Sequence, residues 1–416
     1  MLSKSKRCIN IDWLEVHALE PINSFRDAQF FRDCGWNVIE RDYGTRVYTQ
    51  MFTLLFPNGE PFLEVRRAPA AAESSKAAQF FEVNSVHLRL HNRTCYIHGC
   101  AKMLADFMAQ YEFTFKRISR IDIALDFERF DKGDKPADFL KRYLAGKYSK
   151  VNQGNVRAYG KDLWDGRFWN SVAWGAKKSM IGTKMYNKTL ELRESKDKPY
   201  IRQAWASAGL VDDFIQLTKK GDDGAYYKPD IWRVEFSIES SVRGWYTMEH
   251  DELGNPKKHS FRNTLDCYQT DEQLLQVFAS LADHYFHFKH FEPDQRKDRC
   301  KDKMLFDFTS QVQEFYHVDK VATARPADKT AAILRRRLIE YRATHFDELQ
   351  RKAVDVLLDA LQRECVIKAA VNPHDTDEVK LLQHLIAIRT AGNASNPFDL
   401  DLETARQMVA LEKDLF

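Results

Sequence analysis

Tyr186 stands between two lysines in the segment Lys184-Met-Tyr-Asn-Lys-Thr-Leu-Glu191. Two acidic segments of alternating polarity accompany it, Arg120-Ile-Asp-Ile-Ala-Leu-Asp126 before it and Trp232-Arg-Val-Glu-Phe-Ser-Ile-Glu239 after it. A phenol is a weak nucleophile at its free pKa of about 10 and needs a cation nearby to react as phenolate. Lys184, Lys188 or a bound metal could supply that cation. Carboxylates suit hard divalent cations such as Mg²⁺ or Mn²⁺, which keep several waters and polarise phosphoryl oxygens. A tyrosine beside a carboxylate-bound cation is suited to cleaving a phosphodiester and rejoining it.

Three strands must position these groups. Successive residues of a strand point to opposite faces, so Asp122, Ala124 and Asp126 share one face while Ile121, Ile123, Leu125 and Phe127 form an apolar stripe on the other. In the later segment Arg233, Glu235, Ser237 and Glu239 oppose Trp232, Val234, Phe236 and Ile238. In the middle segment Lys184, Tyr186 and Lys188 fall together. If the three lie in one sheet, its polar face carries a phenol, two or three carboxylates and several cations. Taken singly, each is also an ordinary half-buried strand with a solvated face.

Strand patterns are expected around these three at 11–16, 45–55 and 85–97, with 118–127 as the first acidic strand. Helices are expected over 101–111, 136–144, 198–208 and 271–288. The expected architecture is α+β: an antiparallel-sheet core with flanking helices, followed by a mainly helical C-terminal region. The parts are 1–110, 111–245 as the sheet core with the tyrosine and the acidic strands, and 246–416. From 327 onward the period is helical beside Arg335-Arg-Arg337, which suits either recognition of duplex DNA or a packing or dimer element.

In this order and spacing, the motifs resemble the replication initiation factor (Rep_trans) family, rolling-circle plasmid initiators and related relaxases of integrative and conjugative elements. The resemblance spans residues 9–245 and rests on Ile9-Asn-Ile-Asp-Trp-Leu-Glu-Val16, the Arg120–Asp126 segment, Trp174-Gly-Ala-Lys-Lys-Ser179, the Tyr186-Asn-Lys188 motif and Trp232-Arg-Val-Glu235. It implies Tyr186 as nucleophile, retaining a 5′-phosphotyrosine and leaving a free 3′-hydroxyl, with Lys188 and Arg120 assisting. It implies Asp122, Asp126 and Glu235 as holders of a divalent metal, Mg or Mn. Lys177, Lys178, Lys184 and Arg233 are expected on DNA, although Arg233 could equally pair with a carboxylate. The segment 211–230 is longer than in the shortest members of the family. The family also implies a partner helicase, a polymerase that uses the 3′ end, and a dimer.

Composition bounds the alternatives. The 416 residues carry 63 Lys and Arg against 60 Asp and Glu, a net charge of +3, so this is no polycation. Basic and aromatic residues alternate between 135 and 202, as single-stranded DNA requires, or as a basic surface over aromatic core residues would also show. No run of eighteen apolar residues marks a membrane span, no apolar stretch follows the basic start as in a secretory leader, and the seven cysteines contain no Cys-x-x-Cys pair. A bacterial cytoplasmic location is expected. Cys95 and Cys100 read as strand and turn residues. The thirteen histidines include no pair two residues apart, which argues against a histidine-based nickase centre. His87 and His91 are expected on one strand face, and His284, His287 and His290 on one helix face. His259-Ser-Phe-Arg262 has a spacing used by tyrosine recombinases, but no tyrosine lies between 286 and 315. A non-catalytic origin-binding protein and a metal-dependent nuclease that uses water remain the other readings.

Overall fold

The computed structural model describes residues 6–319 apart from 71–80, 153–154, 164–165, 177–178, 196–197, 212–229, 251–254, 292–295, 297–298 and 313. Lys177, Lys178 and the tail expected to be helical from 327 lie outside the described residues. The chain divides into two compact units, 1–320 and 321–416, and the described elements all belong to the first.

Its strands are β1 (Arg7–Leu19), β2 (Asn37–Glu40), β3 (Tyr48–Leu55), β4 (Pro61–Pro69), β5 (Ser85–Leu90), β6 (Thr114–Phe127), β7 (Tyr148–Lys150), β8 (Val156–Leu163), β9 (Gly166–Trp174), β10 (Ile181–Asn187), β11 (Trp232–Glu239), β12 (Gly244–His250), β13 (Pro256–Arg262), β14 (Phe288–His290), β15 (Asp302–Lys303) and β16 (His317–Val318). The helices are α1 (Ala28–Asp33), α2 (Asn92–Cys95), α3 (Cys100–Gln110), α4 (Pro136–Leu144), α5 (Lys188–Glu194), α6 (Pro199–Ser207) and α7 (Asp271–Tyr285). Ten strands form one sheet in the order β2-β3-β4-β5-β1-β6-β11-β10-β9-β8. Every pairing in it is antiparallel. The fold is therefore α+β with an antiparallel sheet, as the alternation implies.

Apolar residues at every second position give the sheet one dry face. Ile121, Ile123 and Leu125 of β6 and Val234, Phe236 and Ile238 of β11 are buried there. α3 and α7 contribute Leu104, Phe107, Val277 and Phe278 to the same core, and the rings of Phe236 and Phe278 meet edge to face at 5.0 Å. α7 starts sharply because Thr270 and Gln273 form a reciprocal capping box, satisfying donors that have no partner within the helix. The strands of 1–110 and of 111–245 form two adjacent halves of this one sheet, joined where β1 pairs with β6, and residues 246–320 belong to the same compact unit.

Local differences from the sequence pattern have local causes. β5 stops at Leu90 because, one step further along the ladder, His91 still donates to the Phe62 carbonyl at 3.0 Å but its own carbonyl accepts from Cys95 N in the first turn of α2. His91 thus caps a helix, and Cys95 and Cys100 lie in α2 and α3. α7 ends at Tyr285, which leaves His287 outside it and puts His290 on β14, paired with Tyr148. Lys188 is the first residue of α5 rather than the last of a strand, because the Asn187 side chain accepts from Leu190 N at 2.8 Å and caps the helix.

β1 changes phase partway along. Ile11 faces Ile123, but Trp13, not Asp12, faces Asp122. This one-residue β-bulge turns two neighbouring side chains toward the polar face, as bulges beside functional sites commonly do. Before it Ile11 is buried; after it Leu14, Val16 and Ala18 are.

Because α7 covers the apolar face of β11, a chain ending at 320 should keep a single cooperative thermal transition. A chain ending at 245 should lose it and bind a hydrophobic dye, since Phe236 and its neighbours are uncovered. Circular dichroism melts of the two truncations check this.

Candidate active site

The register of β6, β11 and β10 lays out the polar face in rows. Asp122 faces Ser237, which faces Gly182; Ala124 faces Glu235, which faces Lys184; Asp126 faces Arg233, which faces Tyr186. Asp122, Asp126, Lys184, Tyr186, Arg233 and Glu235 are thereby brought to one face of three adjacent strands. The two ends of this face differ in character.

At the Asp126 end, α5 and α6 close over the sheet and bury Cys8, Leu192, Ile201, Trp205 and Ile231 together. Beneath them Arg233 and Asp126 are fully buried. Arg233 holds Asp126 through Nε at 2.6 Å and Nη2 at 2.7 Å, and its Nη1 reaches Asp12 at 2.7 Å. The second oxygen of Asp126 also accepts from the Trp205 indole at 2.7 Å. Tyr96 accepts from Arg233 at 2.8 Å and donates to Asp12. Burial alone would raise the Asp12 carboxyl, but Arg233 and then Lys188 hold it well below the usual carboxylate range. Burial opposes the charge of Arg233, yet Asp126, Tyr96 and Asp12 together keep it protonated. The planar guanidinium matches two carboxylates at once, a geometry lysine cannot supply.

At the other end Arg120, Lys184 and Tyr186 are half-exposed, whereas the carboxylates they hold, Asp122 and Glu235, are buried. The Tyr186 hydroxyl donates to Glu235 Oε2 at 2.9 Å, and Lys184 Nζ donates to Glu235 Oε1 at 3.1 Å. Burial, and then the charge of Glu235, push the Tyr186 phenol well above its ordinary value, so the phenol is held as a hydrogen-bond donor. Lys188, itself buried, lies 5.5 Å from the Tyr186 ring and pairs with Glu191 at 2.7 Å. Its ammonium is lowered by burial and by Arg233. Arg120 grips Asp122 at 2.9 and 2.5 Å. Asp122 is pushed up to about 6, mainly by burial, with Glu235 adding to the rise and Arg120 opposing it.

Of the three carboxylates expected to hold a metal, Asp122 and Glu235 are close enough for the charge of Glu235 to raise the Asp122 carboxyl. Asp126 is already saturated by Arg233 and Trp205. Among the described residues no group of three or more His, Cys, Asp or Glu is gathered for a metal. That leaves Asp122 and Glu235 as the carboxylates of the expected set outside the Arg233 cluster, each already paired with a cation, Arg120 and Lys184. Arg233 takes the carboxylate-pairing course that its sequence context left open, and at zero exposure it offers no surface to a phosphate.

Asp12, Tyr96 and Trp205 join the site without having been singled out. Asp12 and Trp13 sit in the Ile9–Val16 segment, where the shift of apolar residues from odd to even positions signals the bulge. Tyr96 and Trp205 carry no such local signal, since each arrives from an element distant in sequence.

Arg233→Met should destabilise the protein by about 3–5 kcal/mol, because it strands Asp126 without a partner in the interior. Asp126→Asn added to it should recover part of the loss, as urea melts would show. The pH behaviour of Asp122 has a definite sign. Its pKa is raised on folding, so its contribution to stability is fully present below its unfolded value near 3.8 and is lost as pH rises through about 6. Asp122→Asn should therefore gain in melting temperature relative to wild type between about pH 4 and about pH 7. An unchanged difference across that range would remove the argument.

No family model matches the sequence, and no curated protein matches it. Among solved structures, the rolling circle replication initiator protein from Geobacillus stearothermophilus is similar with a TM-score of 0.42 and 14% identity, over 71% of this chain and 92% of that one.

Proposed function

We propose that the chain nicks one DNA strand at a replication or transfer origin, with Tyr186 as the nucleophile. The observation that carries this reading is the Tyr186 hydroxyl donating to Glu235 at 2.9 Å while Lys184 occupies the other carboxylate oxygen. A phenol kept protonated until it reacts needs a base within hydrogen-bond reach, and Glu235 is that base. As the Tyr186 oxygen bonds to phosphorus, its proton passes to Glu235 and the bond from phosphorus to the 3′-oxygen breaks. That oxygen leaves as a 3′-hydroxyl after taking a proton from solvent. The 5′ end stays on Tyr186 as a phosphodiester, so the reverse reaction rejoins ends without an outside energy source.

Arg120 and Lys184 flank the carboxylates and supply positive charge toward the phosphate. Lys188 steadies the phenolic ring. A divalent cation, Mg²⁺ or Mn²⁺, held by Asp122 and Glu235, would neutralise charge on the phosphoryl oxygens. Origin duplex and the exposed single strand are the substrates on this reading. A host polymerase would extend the 3′ end and a helicase would open the duplex. A dimer and a bacterial cytoplasmic setting belong to the same proposal. No helix among the described residues is long and apolar enough to cross a membrane.

The test is incubation with single-stranded oligonucleotides from the replicon that carries the gene, with Mg²⁺ or Mn²⁺. Wild type should give a denaturation-resistant adduct that maps to Tyr186, and Tyr186→Phe should give none. Glu235→Gln should slow adduct formation by about 10²–10⁴-fold while DNA binding persists. An adduct surviving in Tyr186→Phe would assign another tyrosine. Cleavage without an adduct would favour a nuclease that uses water, and binding without cleavage an origin-binding protein.

A further inference from the structure

A cavity of about 620 Å³ opens between the start of β1, α2 and α6, where Cys8 faces Asp126 across the sheet. Its lining includes Asn10, Phe56, Asn58, Tyr96, Tyr200 and Gln203, and none of Asp122, Lys184, Tyr186 or Glu235 reaches it. That volume falls within the range of sites for small molecules. The rings of Tyr96 and Tyr200 meet edge to face at 5.2 Å and make an aromatic corner. A flat ring can lie against one of them and meet the edge of the other.

One buried polar group in the wall is only partly used. Asn10 is 8% exposed. Its Nδ2 donates to the Cys8 thiol at 3.0 Å, which leaves a second amide hydrogen, and its Oδ1 accepts no hydrogen bond from the described residues. A buried amide oxygen without a partner is uncommon in native proteins and calls for a ligand or ordered water. The charged residues around the cavity are already matched, Arg7 with Asp131, Arg93 with Glu60 and His98 with Asp271 at 3.2 Å. Burial and then Asp126 push the Cys8 thiol up to about 12, and burial and then Asp12 push the Tyr200 phenol up to about 12, so both stay uncharged at neutral pH. The cavity therefore suits an uncharged, flat molecule that carries a hydrogen-bond donor on its edge.

We propose that this cavity binds an adenine nucleoside as a free small molecule. The base lies against Tyr96 and Tyr200, its amino group donates to Asn10 Oδ1, and the neighbouring ring nitrogen accepts the second Nδ2 hydrogen. An amide side chain pairs with adenine in this two-point way, whereas guanine and thymine present an acceptor where adenine presents its amino group. Tyr96 connects the cavity to the interior, since its hydroxyl accepts from Arg233 and donates to Asp12. A ligand resting on the Tyr96 ring restrains a residue of the Arg233 cluster, so occupancy is felt where β1, β6 and β11 are tied together. Nothing in this site depends on the nicking chemistry.

The experiment combines thermal melts and saturation-transfer NMR of the full chain with adenosine. Adenosine should raise the melting temperature in a saturable way, and its base protons should receive saturation from the protein. Purine riboside, which lacks only the amino group, should bind about tenfold more weakly, because Asn10 Oδ1 is then left unpaired. Adenosine monophosphate should bind no more tightly than adenosine, since the cations at the rim are already paired. Asn10→Ala should bring adenosine and purine riboside to equal affinity, a readout that a general weakening of the fold does not imitate. Photolabelling of the wild-type protein with azidoadenosine needs no substitution and should mark the peptide containing Tyr96 or that containing Tyr200. Tyr186→Phe should bind adenosine like wild type. The absence of both a melting shift and saturation transfer would overturn the proposal. Equal binding of purine riboside by the wild-type protein, or labelling confined to elements outside the cavity, would also overturn it.

Discussion

One buried cation organises the candidate site. Arg233 lies between Asp126 and Asp12 and so ties β11 to β6 on one side and to β1 on the other. It cannot be exchanged for an apolar group without stranding at least one carboxylate, nor for lysine without losing the forked geometry. Asp126, which it holds, also accepts from the Trp205 indole, so the same ion cluster anchors α6 on the sheet. Tyr186, in register with Arg233, stands at the boundary between this cluster and the Glu235 end of the face, half-buried yet with its hydroxyl directed to Glu235.

That division explains how two aspartates with the same strand parity come to different uses. Asp122 and Asp126 are equivalent by alternation, yet one is held by the half-exposed Arg120 and the other is sealed beneath α6 with Arg233 and Trp205. Proximity to Glu235 distinguishes them further, since a like charge nearby raises Asp122. The site is thus a pair of carboxylates with attendant cations, supported from behind by a separate ion cluster.

Much of this was legible in the residues. β6 and β11 declare themselves by clean alternation, and alternation alone puts Asp122 and Glu235 on one face. The sheet being antiparallel, and Tyr186 joining that face, follow from the same period. Less was legible where a local event breaks the period. Asn187 ends β10 by capping α5, which takes Lys188 off the strand. The bulge in β1 reverses parity between Ile11 and Leu14, so Trp13 reaches the face that simple alternation denies it. The partners that complete the Asp126–Arg233 pair were beyond local reading altogether, because Trp205 comes from 79 residues beyond Asp126 and Asp12 from 221 residues before Arg233. Contacts of that range depend on tertiary packing rather than on any repeat within a segment.

The strand order carries a temporal consequence. β8, β9 and β10 form a consecutive meander, but they reach the rest of the sheet only through β11, which lies between β6 and β10. While the chain is being made, β6 can pair with β1 well before β11 exists, and its other edge stays open until residue 239 is available. Non-local pairing of this kind is slow to form, and an open edge in the interval invites association with other chains. A nascent or prematurely ended chain therefore cannot gather Asp122, Tyr186 and Glu235, and the chemistry of the face is withheld until the sheet is complete.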